Sequence, residues 1–365
     1  MSFLHFTTRT ALLLLPLFNA GPLLAQGKPP DACGQLPNGA KEAIHRLPEN
    51  ARYWLAEDAV YISSPDERCE FLLLDTDEER EQFMEQFWYR RARDEISVDY
   101  HFKTEFYRRI VFANENYGSK ILAGRKTDRG RLYVISGAPD SVERTSEGST
   151  GETAARLVET WLYHYIKGIG ENVEIHFDYN GRYDDYVLRD ADRYLVVQAD
   201  PGPEQFPVTL ENVRRLYAVY GPPKIRFKDL EAILVSQLAR DQVKIVHRIE
   251  FSAATRATTL ARISVEIPCE NCTRDGQIPP WSAYPLFIQV SQRSGRVIAT
   301  SELTAENAVR EVGHSKFVLD ARVDIPLAPG DYKAAVAAEN PSTGEVGVVR
   351  TSMQVPSYES LGTKN

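Results

Sequence analysis

The chain has 365 residues, a length that suits about two domains of ~150 residues each. Hydrophobic residues make up 43% and charged residues 26%, with 22 glycines and 21 prolines, and these ordinary proportions exclude disordered, collagen-like and disulfide-dense miniprotein classes. The 51 Asp and Glu residues outnumber the 43 Lys and Arg residues, and a net charge of −8 without a basic tract argues against nucleic-acid partners.

The first residues have the pattern of an export signal. Arg9 precedes an apolar run at residues 11–18, and small residues follow at Ala20 and Ala25. A membrane anchor is the alternative, but Pro16 breaks the run, which falls short of the ~20 apolar residues that span a bilayer. We therefore predict a signal peptide over residues 1–25 and an exported protein, periplasmic or secreted, without a transmembrane segment in the mature chain.

Four cysteines remain after the leader, and an even number in an exported chain favours disulfides. Cys269 and Cys272 form a C-x-x-C pair that follows a strand-like run and enters a proline-rich loop. We expect a structural disulfide there, with a redox pair or half of a zinc site as alternatives. Cys33 and Cys69 are a second candidate pair, which would tie down the N-terminus.

The next segment is predicted to be helical. Ser64 with Glu67, and Thr76 with Glu79, have capping-box spacing, so a helix is expected to begin at each. The second of these is predicted over residues 77–93. A third helix is predicted over residues 99–117, with apolar residues at three- and four-residue steps and a glycine as its stop signal.

The period then changes to that of strands. Short β-branched or aromatic runs at residues 132–135, 159–165, 173–179 and 185–188 predict a small antiparallel sheet packed against the helices. Residues 146–152 are predicted to be a polar loop, and Gly168 and Gly170 a hairpin turn. Residues 38–198 are thus predicted to be an N-terminal α+β domain.

A connector over residues 199–241, with a short helix at 228–238, is predicted to join this domain to a C-terminal one. Seven candidate strands follow, at residues 243–251, 259–267, 286–292, 297–301, 316–325, 332–338 and 346–355. They favour an all-β immunoglobulin-like sandwich over residues 242–356, before a tail at 357–365. A Pro-Gly turn leading to Tyr332 resembles the penultimate-strand corner of such domains.

No familiar catalytic or nucleotide-binding motif occurs, and we expect no cofactor and no metal. Two alternatives remain open. His164 and His176 could meet across neighbouring strands, with Asp178 or Glu174 as a third metal ligand. A calcium loop is the other, and its four oxygen ligands would be Asp178, Asn180, Asp184 and Asp185. A two-residue Asn-Gly hairpin turn explains the second segment more simply.

The densest polar segment is residues 124–131. Thr127 and Asp128 can cap backbone amides, and the nearby arginines could grip a carboxylate, phosphate or sulfate. The alternative is structural, with Asp128 paired to Arg129 or Arg131 to order a loop. The candidate binding residues are Arg125, Thr127, Asp128, Arg129, Arg131 and Asp140.

An ordered series of segments carries a family resemblance. They are residues 53–58 (YWLAED), 61–68 (YISSPDER), 74–83 (LDTDEEREQF), 87–91 (FWYRR), 107–110 (YRRI), 113–115 (ANE), 127–131 (TDRGR), 137–140 (GAPD) and 168–170 (GIG). The chain resembles the GWxTD domain family of exported bacterial proteins, whose function is uncharacterised. Arg125 replaces the tryptophan of the naming pentapeptide: if that tryptophan packs the loop in relatives, the loop here is looser, and if it contacts a ligand, the contact is lost. The resemblance implies a β-rich C-terminal domain and offers no catalytic residues.

Two functions follow as hypotheses. The first is an extracytoplasmic binding or interaction protein of the bacterial envelope, with no assigned chemistry, whose partner is an envelope or extracellular protein or polymer. The alternative is a hydrolytic enzyme that acts on envelope or extracellular polymer. Its acid–base groups would come from Asp128, Asp140, His164 and His176, and two of them would have to converge in one pocket.

Overall fold

The computed structural model of the chain describes residues 39–92, 101–148, 156–193, 227–236, 240–269, 283–305 and 317–358. The predicted signal peptide and most of the predicted connector lie outside these residues, and the predicted domain boundaries stay predictions. The helices of the first half are α1 (Gly39–Arg46), α2 (Glu49–Tyr53), α3 (Pro65–Leu72), α4 (Asp77–Ala92), α5 (His101–Asn116) and α6 (Asp128–Ser136). Within the described ranges, no helix has the length and apolar character needed to cross a membrane.

Both predicted capping boxes are confirmed. At α3, the Ser64 hydroxyl accepts from the Glu67 backbone N–H at 3.1 Å, and the Glu67 carboxylate accepts from the Ser64 backbone N–H at 2.9 Å. At α4, Thr76 and Glu79 make the same exchange, with both distances 3.2 Å. These bonds satisfy amide groups that a helix leaves without intrahelical partners, so each helix begins where the sequence predicts.

The prediction of a strand at residues 132–135 was wrong, because these residues belong to α6. Thr127 is the N-cap of α6 and accepts from the Gly130 N–H at 3.1 Å. The short apolar run suits a helix here because two faces are buried: Leu132 packs in the core under the following sheet, and Val134 packs in the helical core. A four-residue apolar run has no period that distinguishes a strand from a helix buried on both sides.

The first sheet has four antiparallel strands in the order β1-β2-β3-β4. Its strands are β1 (Ser141–Glu147), β2 (Arg156–Ile166), β3 (Gly170–Asn180) and β4 (Asp185–Leu188). The β2–β3 hairpin turns at Gly168 and Gly170, whose φ angles are 84° and 130°, as predicted. The β3–β4 connection is longer than the predicted two-residue turn, since Asn180 pairs with Asp185 across four residues. The sequence analysis missed β1, because every residue of this strand is exposed and the strand shows no apolar alternation. Its last two residues, 146 and 147, fall in the predicted polar loop.

All seven strands predicted for the C-terminal half are confirmed. They are β5 (Val246–Ala253), β6 (Thr259–Cys269), β7 (Tyr284–Gln292), β8 (Val297–Ala305), β9 (Phe317–Leu327), β10 (Gly330–Glu339) and β11 (Val346–Val355). One sheet has the order β5-β6-β9 and the other β11-β10-β7-β8, all antiparallel, and their inner faces share one hydrophobic core. Helix α7 (Lys228–Val235) packs through Leu230 and Leu234 on the outer side of the four-stranded sheet.

The two halves share a core at the β5–β6 turn. Ala254, Ala257 and Leu260 are buried among the apolar side chains of α2 to α6, in the same cluster as Trp54 and Phe87. Helix α5 lies against β6 and β9, where the Thr104 hydroxyl donates to the Asp324 carbonyl at 3.3 Å. The β5–β6 turn is therefore part of the helical core as well as of the C-terminal sheets.

Candidate functional site

Residues 124–128, which we term the signature loop, lie at the end of the connection from α5 to α6. The backbone of this loop approaches the backbones of both helices very closely. A Cβ on Gly124 would lie 1.7 Å from the Ala113 carbonyl oxygen of α5, and a Cβ on Gly130 would lie 1.8 Å from the Gly124 carbonyl oxygen. Real side chains do not fit at such distances, so both positions require glycine. The loop is tightly packed on both sides.

Arg125 is buried in the signature loop, with 1% of its surface exposed. Its Nη2 donates to Glu57 Oε2 at 2.8 Å, and its backbone N–H donates to Asn114 Oδ1 at 3.2 Å. The Asn114 amide in turn donates to the Ala254 carbonyl at 3.0 Å. The loop is therefore bound to α5 and, through Asn114, to the β5–β6 turn, and no loosening accompanies the arginine at this position.

Glu57 and Asp58 face the same junction from a π-helical turn, Trp54–Asp58, that follows α2. Glu57 accepts from Arg125 and also from Arg256 of the β5–β6 turn, whose Nε lies 2.6 Å from Oε1. Burial would raise the pKa of Glu57, but hydrogen bonds from Arg256 and the charge of Arg125 hold it below its usual value. A negative Glu57 thus links two arginines from the two halves of the chain.

Asp58 is fully buried beside Glu57. Its Oδ2 accepts from the Tyr107 hydroxyl and the Thr258 hydroxyl, each at 2.7 Å. Burial raises the pKa of Asp58 to about 6, although the surrounding hydroxyl donors oppose that shift. Burial lowers the pKa of the nearby Lys103, and the charge of Asp58 opposes that lowering. We term Glu57, Asp58, Tyr107, Arg125, Arg256 and Thr258 the polar junction.

Two further polar residues of the segment 124–131, Asp128 and Arg129, also hold elements together. Asp128 Oδ2 accepts from the Leu188 N–H of β4 at 2.9 Å. Arg129 is buried and donates to Glu159 and Asp185 at 3.5 and 3.2 Å. Arg131 is exposed. The structure therefore separates the three arginines that could grip an anion, and Asp128 receives a backbone amide rather than Arg129 or Arg131.

An open cleft lies between α5, α6 and strands β5 and β6. It has a volume of about 310 Å³, and we term it the α5 cleft. Aromatic and charged side chains dominate its lining, together with two aliphatic residues and one serine: Glu105, Arg108, Arg109, Val111, Phe112, Glu115, Tyr133, Ser252, Leu260 and Arg262. Residues distant in the sequence thus converge on a concave surface that has room for a small ligand.

Residues 43–198 match the family described as GWxTD domain. The chain carries a GWxTD domain. This confirms the resemblance and places the signature loop, α5 and the first sheet inside the domain.

No curated protein matches the chain. Among solved structures, the chain is similar to the C-terminal domain of Wzt, with 12% identity over 35% of this chain and 80% of that chain and a TM-score of 0.22. It is also similar to MHC-like MILL2, with 9% identity over 56% of this chain and 68% of that chain and a TM-score of 0.19.

The two histidines of the alternative metal site, His164 and His176, do not lie close together in the GWxTD domain. Thr160 lies opposite His176, which leaves His164 four residues farther along β2, about 13 Å away. Each histidine has its own partner: the Nδ1 atom of His164 lies 2.9 Å from Asp140, and that of His176 lies 2.9 Å from Asp192. Among the described residues, no group of three or more His, Cys, Asp or Glu side chains is arranged to hold a metal.

The oxygen ligands of the alternative calcium loop are already engaged. Asp178 pairs with Arg156 and Arg189, and Asn180 Oδ1 accepts from the Arg182 N–H at 3.1 Å. Asp184 accepts from the Tyr179 hydroxyl at 2.8 Å, and Asp185 pairs with Arg129. The segment is a hairpin stabilised by its own side chains.

Only some of the cysteines in the two predicted disulfides lie within the described residues. Cys69 is buried on α3 and is disulfide-bonded. Cys33 and Cys272 lie outside the described residues, as does the side chain of Cys269. The pairings Cys33–Cys69 and Cys269–Cys272 stay predictions.

Sequence reasoning missed the polar junction and the α5 cleft. Glu57 and Asp58 were visible only as the end of the YWLAED segment, and Arg256 and Thr258 have no motif around them. One signal was available, since two adjacent carboxylates within an otherwise apolar run must each find a partner if the run is buried. Two of the partners, Arg256 and Thr258, lie at sequence separations of 199 and 200, which no local pattern specifies.

Proposed function

We propose that this chain is an extracytoplasmic binding protein of the bacterial envelope that holds its ligand in the α5 cleft. The convergence of Phe112, Arg108 and Arg262 on one concave surface carries the proposal. A pocket with an apolar wall and a few converging polar groups is the usual form of a ligand site. The export signal and the envelope location are predictions from the sequence.

The positions of the acid–base candidates support binding over the alternative of hydrolysis. Asp128 accepts from a backbone amide, Asp140 pairs with His164, and His176 pairs with Asp192. None of these residues lines the α5 cleft. General acid–base catalysis needs two such groups within hydrogen-bond reach of one substrate.

We propose further that the C-terminal half is an immunoglobulin-like sandwich. Seven antiparallel strands in sheets of three and four support it. The Tyr332 hydroxyl, near the start of the penultimate strand, donates to the Ala328 carbonyl at 3.0 Å, in the manner of the tyrosine corner of such domains. In this proposal the sandwich supplies one wall of the cleft through β5 and β6.

Capture from an envelope extract tests the binding function. The immobilised full chain is compared with Phe112→Ala, which removes the cleft's exposed ring, and with Tyr165→Ala as a matched control. Tyr165 is an exposed aromatic residue, at 63%, that does not line the cleft. We expect the wild type and Tyr165→Ala to retain the same component and Phe112→Ala to lose it at an unchanged melting temperature. Equal retention by all three proteins would count against the cleft as the binding site.

A further inference from the structure

We infer that the α5 cleft binds a carbohydrate, one or two sugar units at a time, and this inference rests on the proposed binding function. The volume of about 310 Å³ is at the lower end of the range for ligand pockets, so it suits a small unit or a short segment of a longer polymer. The chemical class follows from two properties of the lining, its aromatic wall and its balanced charges.

Phe112 and Tyr133 form the aromatic wall. Their ring centroids lie 4.7 Å apart at an interplanar angle of 17°, so Tyr133 backs the ring of Phe112 and restricts its movement. Phe112 nevertheless keeps 40% of its surface exposed, and it is one of the residues that line the cleft. A fixed, exposed ring is a flat apolar platform, and the C–H face of a sugar ring is a flat apolar surface of similar size. Their contact would remove apolar area from water on both sides.

The charges of the cleft are balanced, which disfavours a simple anion. Arg108 and Arg262 both donate to Asp324, with Nε–Oδ distances of 2.7 and 2.8 Å. Arg109 donates to Glu105 at 3.1 Å. Glu115 lies near enough to raise the pKa of Arg262, after the larger effect of the Asp324 hydrogen bonds. A phosphate or a lone carboxylate would have to compete with these carboxylates for each guanidinium.

The same side chains retain hydrogen-bonding capacity of both kinds. An arginine has five N–H donors, and the bond from Arg108 to Asp324 uses the one on Nε. Glu105 and Glu115 add carboxylate acceptors, and Ser252 adds a hydroxyl that both donates and accepts. Sugar hydroxyls are donors and acceptors at once, so a lining that contains both guanidinium and carboxylate groups matches them. Aromatic stacking with paired polar groups points to a polyhydroxylated ligand.

Fractionating the captured material tests the class of ligand. The envelope extract is separated into carbohydrate, protein and lipid fractions, and binding of each fraction to the full chain is measured by calorimetry. We expect binding in the carbohydrate fraction, its loss after periodate cleavage of vicinal diols, and little change in affinity with added salt. Phe112→Ala should weaken it by about tenfold and Tyr165→Ala by less than about twofold.

A second variant, Ser252→Phe, fills the cleft without removing a charged group and covers the case in which Phe112→Ala folds poorly. Because it fills the cleft, it should abolish binding, whereas Phe112→Ala only weakens it. Binding that resists periodate, or that resides in the protein or lipid fraction while still depending on Phe112, overturns the carbohydrate assignment and leaves the binding function standing. If no fraction shows binding that either variant removes, the proposed function itself fails.

Discussion

The signature loop and the α5 cleft both border α5, and they differ in what their polar groups do. In the signature loop, Arg125, Thr127 and Asp128 are engaged with Glu57, Gly130 and Leu188, and the loop is packed against backbone on both sides. In the cleft, side chains with unused donors and an exposed ring face solvent. The recognisable motif is therefore architectural, and the surface suited to a ligand has no motif. A family's naming residues can mark how its fold is held together rather than where it acts.

Gly124→Ala tests the architectural side of this comparison with the largest expected effect. The added Cβ would meet the Ala113 carbonyl oxygen at 1.7 Å, so the backbone of α5 or of the loop must move. We expect a loss of at least about 4 kcal/mol in the free energy of unfolding, measured by denaturant titration. Gly118→Ala is the control, since its Cβ would lie at an ordinary 3.6 Å from Asn114 and its cost should stay near ~1 kcal/mol or below. Similar stabilities for the two variants would contradict the close approach.

Glu57→Ala tests whether the polar junction is held by charge. Glu57 is 3% exposed and its removal leaves Arg125 buried without its carboxylate. Breaking a buried ion pair in this way costs about 3–5 kcal/mol. The control is Asp77→Ala, because Asp77 pairs with Arg80 while its side chain is 70% exposed, and such pairs contribute about 0–1 kcal/mol. A Glu57→Ala protein that unfolds at the same denaturant concentration as the control would show that the junction does not depend on this pair.

Asp58→Asn tests the second buried carboxylate of the polar junction through the pH dependence of stability. Because the folded-state pKa of Asp58 is raised from 3.8 to about 6, the folded chain holds this proton to a higher pH than the unfolded chain does. Its contribution to stability is therefore fully present below pH ~4 and is lost as pH rises to ~6, by up to about 3 kcal/mol. Asparagine cannot titrate, so the stability advantage of the wild type over Asp58→Asn should shrink between pH 4 and 7. A constant difference over that range would contradict the buried, uncharged form.

The fold was largely predictable from the sequence where local chemistry decides it. Ser64 with Glu67 and Thr76 with Glu79 begin helices through bonds between near neighbours, and alternating apolar residues mark the strands that are buried on one face. Prediction failed where tertiary packing decides. Residues 132–135 form a helix because a sheet covers one side and the helical core the other, and β1 has no buried residue to reveal it.

The candidate site was predictable to a smaller extent, for the same physical reason. Thr127 and Asp128 were identified as residues that can cap backbone amides, and in the structure each accepts one, although the partner of Asp128 is on β4. The α5 cleft combines Phe112 and Tyr133 with Leu260 and Arg262. Residues so far apart meet only after the two halves share a core, so no spacing along the chain could indicate the cleft.

Asp128→Ala has the smallest expected effect and separates the two roles first considered for the signature loop. Its carboxylate is half-buried and accepts the Leu188 N–H, so its loss should cost about 1–2 kcal/mol by leaving that amide without an acceptor. Asp190→Ala is the control, since Asp190 is 94% exposed and pairs only with the neighbouring Arg193 among the described residues. Ligand affinity in the α5 cleft should stay unchanged, because Asp128 does not line it. Loss of ligand binding at an unchanged melting temperature would instead show that the signature loop takes part in ligand binding. It would contradict the purely structural role given to that loop.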